Sequence, residues 1–241
     1  MRSIDVALTY QLIESALDRD TVAIDVLRAT TTMLAALGSG AERVIPVESI
    51  EDAFAAKARI PDAILAGERD AVPPEGFDLG NSPLSMSQET VGGRTLVMST
   101  TNGTRAIHRC TGSARVLIGS IVNRGAIART LFNGGRDVLL VCSGTHGRVS
   151  LDDTIGAGLM IERLLELGSD WALTDSARIA LDVTRSTIHG SGGVEPAIRS
   201  AAHGRKLDSL GMGADIEFAA RLDSSSLVPT WDPEHNEIRI R

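Results

Sequence analysis

Short aliphatic, β-branched runs alternate with segments of helical periodicity through the first two-thirds of the chain. The runs Ile4–Leu8, Val22–Val26, Arg43–Val47, Ala63–Ala66, Thr95–Met98, Val116–Ile118 and Val138–Val141 predict strands. The stretches Tyr10–Leu17, Thr32–Leu37, Ile50–Ala58, Gly103–His108, Arg124–Phe132 and Asp153–Glu166 predict helices. Such alternation makes βαβ units, and hence an α/β fold whose mostly parallel sheet is covered on both faces. Val138-Leu-Leu-Val-Cys142 has no polar alternation, which suits a strand buried on both sides.

Beyond Leu167 the pattern turns more helical, over Ala172–Val183, Glu195–Ala202 and Leu207 to about Leu222, with Gly190-Ser-Gly-Gly193 as a flexible break. Leu227–Trp231 and Glu237–Arg241 read as two short strands around a turn at Asp232-Pro-Glu-His-Asn236. No low-complexity linker divides the sheet-rich part, about residues 1–167, from the helical part, about 168–241. One α/β unit over 1–241 is therefore expected, with the tail packed on the main sheet as a helical subdomain or lid.

Composition narrows the function classes. Only 3% of the residues are aromatic and the net charge is -7, which argues against nucleic acid as a partner. There is no cationic amphipathic segment for a membrane surface, no apolar run long enough to span a bilayer, and no signal-peptide pattern at Met1-Arg-Ser-Ile-Asp-Val6. Cys110 and Cys142 lack metal-ligand spacing, so a cytoplasmic protein with reduced thiols is expected.

Three places repeat one grammar, an apolar strand, a small polar loop and a helix: Ala23–Met33, Leu96–Ala106 and Leu139–Ile155. Loops at the carboxyl ends of strands line the ligand crevice of an open α/β sheet, so the repetition points to one site built from several loops. In the first, Asp25, Arg28 and Thr30-Thr31-Thr32 stand where a strand hands over to a helix N-terminus, an end that suits an anion. Asp25 is the misfit there, because a carboxylate beside a bound anion is repelled unless a cation lies between them. Mg2+, which takes carboxylates together with phosphate oxygens, fits that place. A plainer alternative makes Thr30 a helix cap and Asp25 an ordinary strand-end carboxylate.

Ser99-Thr-Thr-Asn-Gly-Thr104, the second loop, concentrates hydroxyls and an amide that can cradle phosphate oxygens without adding charge, or simply form a polar turn capped by Thr101 or Asn102. The third runs Cys142-Ser-Gly-Thr-His-Gly-Arg-Val-Ser-Leu-Asp-Asp153. Ser150 and Asp153 have capping-box spacing, and Asp152 and Asp153 bring carboxylates toward the loop. Cys142 and Arg148 imitate the spacing of cysteine phosphatases, but an acidic neighbourhood would raise the thiol pKa, and a small buried hydrophobe is the better reading of Cys142.

Asp25-Val-Leu-Arg-Ala-Thr-Thr-Thr32, Gly67-Glu-Arg69, Gly76-Phe-Asp-Leu-Gly-Asn-Ser-Pro83, Ser99-Thr-Thr-Asn-Gly-Thr104, Cys142-Ser-Gly144 and Ser150-Leu-Asp-Asp-Thr-Ile-Gly-Ala-Gly158 resemble, in this order, the 2-phosphosulfolactate phosphatases. The resemblance implies a three-layer α/β/α fold and Mg2+-dependent hydrolysis of 2-phospho-3-sulfolactate to sulfolactate and phosphate, in its best-known setting a step toward coenzyme M. By position it carries over Asp25, Arg28, Glu68, Arg69, Asn81, Ser82, Thr101, Asn102, Thr104 and Asp153. Ala219 and Ser224–Ser226 depart from the family pattern, which leaves substrate contacts from the tail open.

The chemistry of the residues agrees with that resemblance. Asp25, Arg28, Glu68 and Asp153 form the expected catalytic set, and Asp25 and Asp153 the metal ligands or a metal ligand plus a base. Thr30, Thr31, Arg69, Asn81, Ser82, Thr101, Asn102, Gly103 and Thr104 are the expected substrate contacts, with Arg105 or Arg124 for the sulfonate. Leu27 stands where the haloacid-dehalogenase phosphatases carry a second Asp, so direct attack by metal-activated water is preferred over a phosphoaspartyl intermediate. The alternatives are a phosphatase for another small phosphorylated acid, and a non-catalytic small-anion or nucleotide-binding protein. A symmetric homodimer is the common state for soluble enzymes of this size.

Overall fold

A computed structural model describes residues 1–240, so the last residue of the strand expected over Glu237–Arg241 lies outside the described residues. The strands are β1 (Arg2–Ala7), β2 (Asp20–Ile24), β3 (Arg43–Val47), β4 (Ile64–Gly67), β5 (Thr95–Ser99), β6 (Arg115–Gly119), β7 (Val138–Cys142), β8 (Trp171–Leu173), β9 (Pro229–Asp232) and β10 (Glu237–Ile240). They form one sheet in the order β4-β5-β3-β10-β9-β6-β2-β7-β1-β8. The helices are α1 (Ala29–Gly38), α2 (Ile50–Arg59), α3 (Gln88–Val91), α4 (Gly103–Arg109), α5 (Arg124–Gly134), α6 (Leu151–Leu167), α7 (Asp175–Ser191), α8 (Val194–Arg199), α9 (Ala202–Ser209) and α10 (Gly213–Ala219). Helices cover both faces, giving a three-layer α/β/α arrangement. Among the described residues no helix is long and apolar enough to cross a membrane.

The sheet is two parallel wings joined by a hairpin. β10 runs antiparallel to both β3 and β9, and β9 antiparallel to β6, while every other pairing is parallel. The wing β4-β5-β3 therefore runs opposite in sense to the wing β6-β2-β7-β1-β8. Sequence pattern separates the two kinds of strand. β7 is buried throughout, as its unbroken aliphatic run requires. In the hairpin only alternate residues are apolar: Trp231 and Ile238 enter the core, while Glu237 and Arg239 pair with Arg43 and Glu42.

Helices α1 and α4 hold the wings together. α4 follows β5 in one wing yet packs on β2 in the other, although β3, β10, β9 and β6 lie between those two strands. Sheet twist of about 20–25° per pair, summed over these strands, turns the wings so that their carboxyl ends face a common space. Met33, Leu37 and Ile107 fill the concave side between them. On the outer side, α5, α6 and α7 cover one wing and α2 covers the other.

Four expectations need correction. Tyr10–Leu17 is a single 3-10 turn at Tyr10–Leu12 followed by irregular chain; Tyr10, Ile13 and Ala16 still pack on the core while Leu12 and Leu17 are exposed, so irregular backbone delivers the apolar side chains that a helix was expected to carry. Ala172 and Leu173 belong to edge strand β8, paired with β1 and anchored where Trp171 stacks on Arg2, and the helix starts only after Thr174 caps it. That helix runs through Gly190 to Ser191, and the break falls at Gly192 and Gly193, both with positive φ. The segment expected as one helix from Leu207 is split into α9 and α10 by a turn at Gly211, whose φ is 75°.

Candidate active site

The loops after β2, β4, β5 and β7 meet the first turn of α9 around a cavity of about 260 Å³. Its floor begins with Asp25, the residue after β2. Asp25 Oδ1 accepts the Ala29 N–H at 3.0 Å, so the carboxylate closes the first turn of α1 itself. Thr30 Oγ1 accepts the Asp25 N–H at 3.0 Å and donates to the Asp25 carbonyl at 2.8 Å. Thr31 Oγ1 donates to the Val26 carbonyl and lies 2.6 Å from Ser120 Oγ. These threonines hold the loop that carries Asp25 and do not line the cavity. Thr32 ties in Asn81 by donating to its carbonyl at 3.1 Å.

Asp153 clasps two loops together. Its Oδ1 accepts the Val26 N–H at 2.8 Å, and its Oδ2 accepts Ser143 Oγ and the Gly144 N–H, each at 2.9 Å. Ser150 occupies the N-cap position of α6 but makes no side-chain cap bond; its hydroxyl donates instead to Asp152. The capping-box reading of Ser150 and Asp153 is therefore overturned, and both aspartates face inward. Glu68 bridges backbone, accepting the Ala71 N–H and the Thr101 N–H, each at 2.9 Å. Gly103 permits the closest approach between wings, because a Cβ there would lie 2.5 Å from Asp25 Oδ2.

Seven of the residues expected from sequence line this cavity: Asp25, Arg28, Glu68, Asn81, Thr101, Asn102 and Asp153. The others brace the walls. Arg69 donates to the Glu68 and Ser99 carbonyls and to Ser99 Oγ, Thr104 Oγ1 donates to the Thr100 carbonyl, and Ser82 Oγ donates to Asp215 at 2.6 Å. Neither Arg105 nor Arg124 lines the cavity, and Arg124 pairs with Asp223. Arg148 lies in an adjoining groove. A larger groove of about 860 Å³ follows the β9–β10 hairpin and shares no residue with these loops.

The floor is short of positive charge. Burial drives Asp25 up to about 7, reinforced by the Asp152 and Glu68 carboxylates against the Ala29 N–H hydrogen bond. Burial also raises Asp152, and it raises Asp153 well above the carboxylate range with help from Asp152 and Asp25. Glu68 differs: burial pushes it up, but the N–H groups of Ala71 and Thr101 outweigh that and hold it below its ordinary value. Arg28 does not neutralise the aspartates, because its guanidinium is buried against Asp215 at 2.6 Å. Cys142 is buried with its thiol pushed well up by desolvation and the same carboxylates, so it is no nucleophile.

The C-terminal helices supply what sequence reasoning missed. His203 and Lys206, three residues apart on α9, both line the cavity, and Asp215 on α10 anchors Arg28. Burial lowers the His203 pKa, with Arg28 and Lys206 lowering it further against Asp152 and Glu68. Lys206 Nζ pairs with Asp70 Oδ1 at 3.1 Å, and His146 Nε2 lies 3.9 Å from the same oxygen. The His146 N–H also donates to Asn102 Oδ1 at 3.2 Å, which closes the rim. The one sequence signal for the α9 pair is its i,i+3 spacing, which puts both side chains on one helix face.

The family described as 2-phosphosulpholactate phosphatase matches residues 7–234. The chain belongs to that family. Proteins named probable 2-phosphosulfolactate phosphatase are similar over nearly their whole length. The one from Deinococcus radiodurans is 46% identical, covering 87% of this chain and 86% of its own. That from Carboxydothermus hydrogenoformans is 39% identical over 94% and 92%, and that from Thermotoga petrophila 40% identical over 88% of each.

The Mg2+ that the family resemblance implies can be tested against the donors present. Among the described residues no three His, Cys, Asp or Glu side chains converge into a ready-made cage. Mg2+ rarely needs one, since it is commonly held by one or two carboxylates, waters and substrate phosphate oxygens. Buried carboxylates that repel one another fit such an ion. So do the buried, unpartnered oxygens Asn81 Oδ1 and Thr101 Oγ1, both on residues of the cavity wall.

Proposed function

We propose that this chain hydrolyses 2-phospho-3-sulfolactate to 3-sulfolactate and phosphate with Mg2+ as cofactor. Family membership supports the substrate, and one observation supports the chemistry: Asp25, Asp152 and Asp153 are buried together with raised pKa values and, among the described residues, no cation paired to them. Asp25 and Asp152 are the carboxylates that would hold the ion. Asp153, first expected as a ligand, already accepts three hydrogen bonds and keeps the loops after β2 and β7 in register. Bound Mg2+ would offset the charge of the phosphoryl group and of the departing ester oxygen.

The remaining work falls to the chain. Arg28, fixed by Asp215 on one side, has a buried Nε without a partner, a donor suited to a phosphoryl oxygen. The Asn81 amide and the Thr101 hydroxyl orient the same group. His203, whose imidazolium form burial disfavours, would accept the proton of the attacking water as the O–P bond forms and the ester O–P bond breaks. That proton is then available to the departing 2-oxygen, so hydrolysis leaves the enzyme unchanged.

Phosphate release from 2-phosphosulfolactate and from other phosphorylated hydroxy acids, with Mg2+ or with EDTA, tests the reading. Turnover of phosphosulfolactate with Mg2+ alone is the expected result. Turnover of another ester only would retain the phosphatase and remove the substrate, a reading that the positions of Arg105 and Arg124 outside the cavity lining favour. No release from any ester by folded protein would leave a small-anion-binding protein.

A further inference from the structure

We propose that Lys206 is the residue that recognises the sulfonate of the substrate, and that Asp70 occupies the ammonium until the sulfonate displaces it. The inference rests on the phosphosulfolactate reading. That substrate carries its phosphate on C2 and its sulfonate on the neighbouring C3, so phosphate on the cavity floor puts the sulfonate toward the rim. Three basic side chains line the cavity besides His146: Arg28, His203 and Lys206. Arg28 is buried against Asp215 at 2.6 Å, and pulling it away would strand a buried charge. His203 faces the Asp152 and Glu68 carboxylates of the floor, away from an anion's place at the rim. Lys206 remains.

Its partner is one that an anion can replace. Lys206 Nζ lies 3.1 Å from Asp70 Oδ1, with side chains 40% and 74% exposed. A pair so exposed is held weakly, and its rupture leaves both groups in water. Among the described residues the Asp70 carboxylate has no other hydrogen-bond or ion-pair partner than this one and His146 Nε2 at 3.9 Å. The rim loops hold that geometry at a backbone cost: Asp70 and His146, on opposite loops, have φ of 55° and 50°, in the left-handed region. A sulfonate presents three oxygens to an ammonium that has three rotatable donors, whereas Asp70 uses one.

Calorimetric binding of 3-sulfolactate and lactate in Mg2+ buffer isolates the sulfonate from turnover. Wild type should prefer sulfolactate. Lys206→Gln should cut that preference by about 10-fold or more, the worth of a hydrogen-bonded charge, and Lys206→Arg should restore most of it. Asp70→Asn should keep or sharpen the preference, because it frees the ammonium. If Lys206→Gln and Asp70→Asn weaken both ligands alike, the pair is only a clamp between loops and the proposal is overturned. It is equally overturned if wild type shows no preference or Lys206→Gln retains it. Phosphate release by wild type is read separately, so an inactive protein that still prefers sulfolactate removes the hydrolytic reading and leaves this one.

Discussion

At the floor of the cavity, Asp25, Asp152 and Asp153 are buried, fixed by backbone N–H groups and serine hydroxyls, and hard to ionise together. At its rim, Asp70, His146 and Lys206 are exposed, held mainly by one another and by Asn102. The floor is pre-organised and stores unfavourable electrostatics that a bound cation would relieve. The rim is cheap to rearrange and can exchange partners. The difference assigns chemistry to one layer and selection of the substrate to the other, and each assignment can be broken separately.

The largest expected effect is on the floor. Asp25→Asn should lower kcat by roughly 10³-fold or more, as loss of a metal-holding carboxylate would, while Asp70→Asn at the rim should leave kcat within a few-fold of wild type. Steady-state kinetics with saturating Mg2+ decides this. A comparable loss in both variants would erase the distinction between floor and rim.

Electrostatics at the floor should also appear in stability. Asp25 titrates near 7 in the folded protein against 3.8 ordinarily, so between those values the folded state binds more protons than the unfolded one. With EDTA present, this contribution is full below about pH 4 and is lost as pH rises through 7. Over pH 5 to 8 the melting temperature should therefore fall in EDTA and fall less in Mg2+. Asp25→Asn should flatten the EDTA curve, and an unchanged slope in that variant would assign the drop to other groups.

Asp215→Asn tests the join between the layers, since Asp215 comes from α10 and holds Arg28 of the floor. Leaving a buried guanidinium uncompensated should cost about 3 kcal/mol or somewhat more, read from the urea midpoint. A loss under about 1 kcal/mol would mean that Arg28 finds water or another acceptor, and that the C-terminal helices only roof the site.

What was legible in the chain follows the same division. The floor was read from short-range grammar: an aliphatic run, then Asp25 or Ser143, then a helix, a pattern in which strand ends declare themselves. The sequence presents Asp152 and Asp153 alike as loop carboxylates, and only packing shows which oxygens are already committed. What α9 contributes was illegible for a physical reason. His203 and Lys206 sit in a helical segment more than a hundred residues from Glu68, and charges on such a segment look like a solvated face until the fold turns it inward. The same limit explains Tyr10–Leu17, where irregular chain and not a helix carries Tyr10, Ile13 and Ala16 to the core, and β8, whose three residues depend on pairing with β1. The hairpin between the wings was visible in its alternation, yet the reversal of the parallel sense across it was not, because register between distant strands has no local signature.

Gly103 is where that long-range geometry becomes a single-atom constraint. It begins α4, after a strand in one wing, and touches Asp25, after a strand in the other. A methyl group would meet Asp25 Oδ2 and Ala29 Cβ, each at 2.5 Å, and neither can withdraw freely: the carboxylate is bonded to the Ala29 N–H, and Ala29 is buried in the first turn of α1. Gly103→Ala should therefore push the wings apart at the floor and cost about 1–3 kcal/mol of stability, the usual range for overpacking. Because the displaced group is the carboxylate proposed to hold Mg2+, the ion should protect this variant against heat less than it protects wild type. Equal protection would show that α4 can shift without moving Asp25, and that the floor is held from the β2 wing alone.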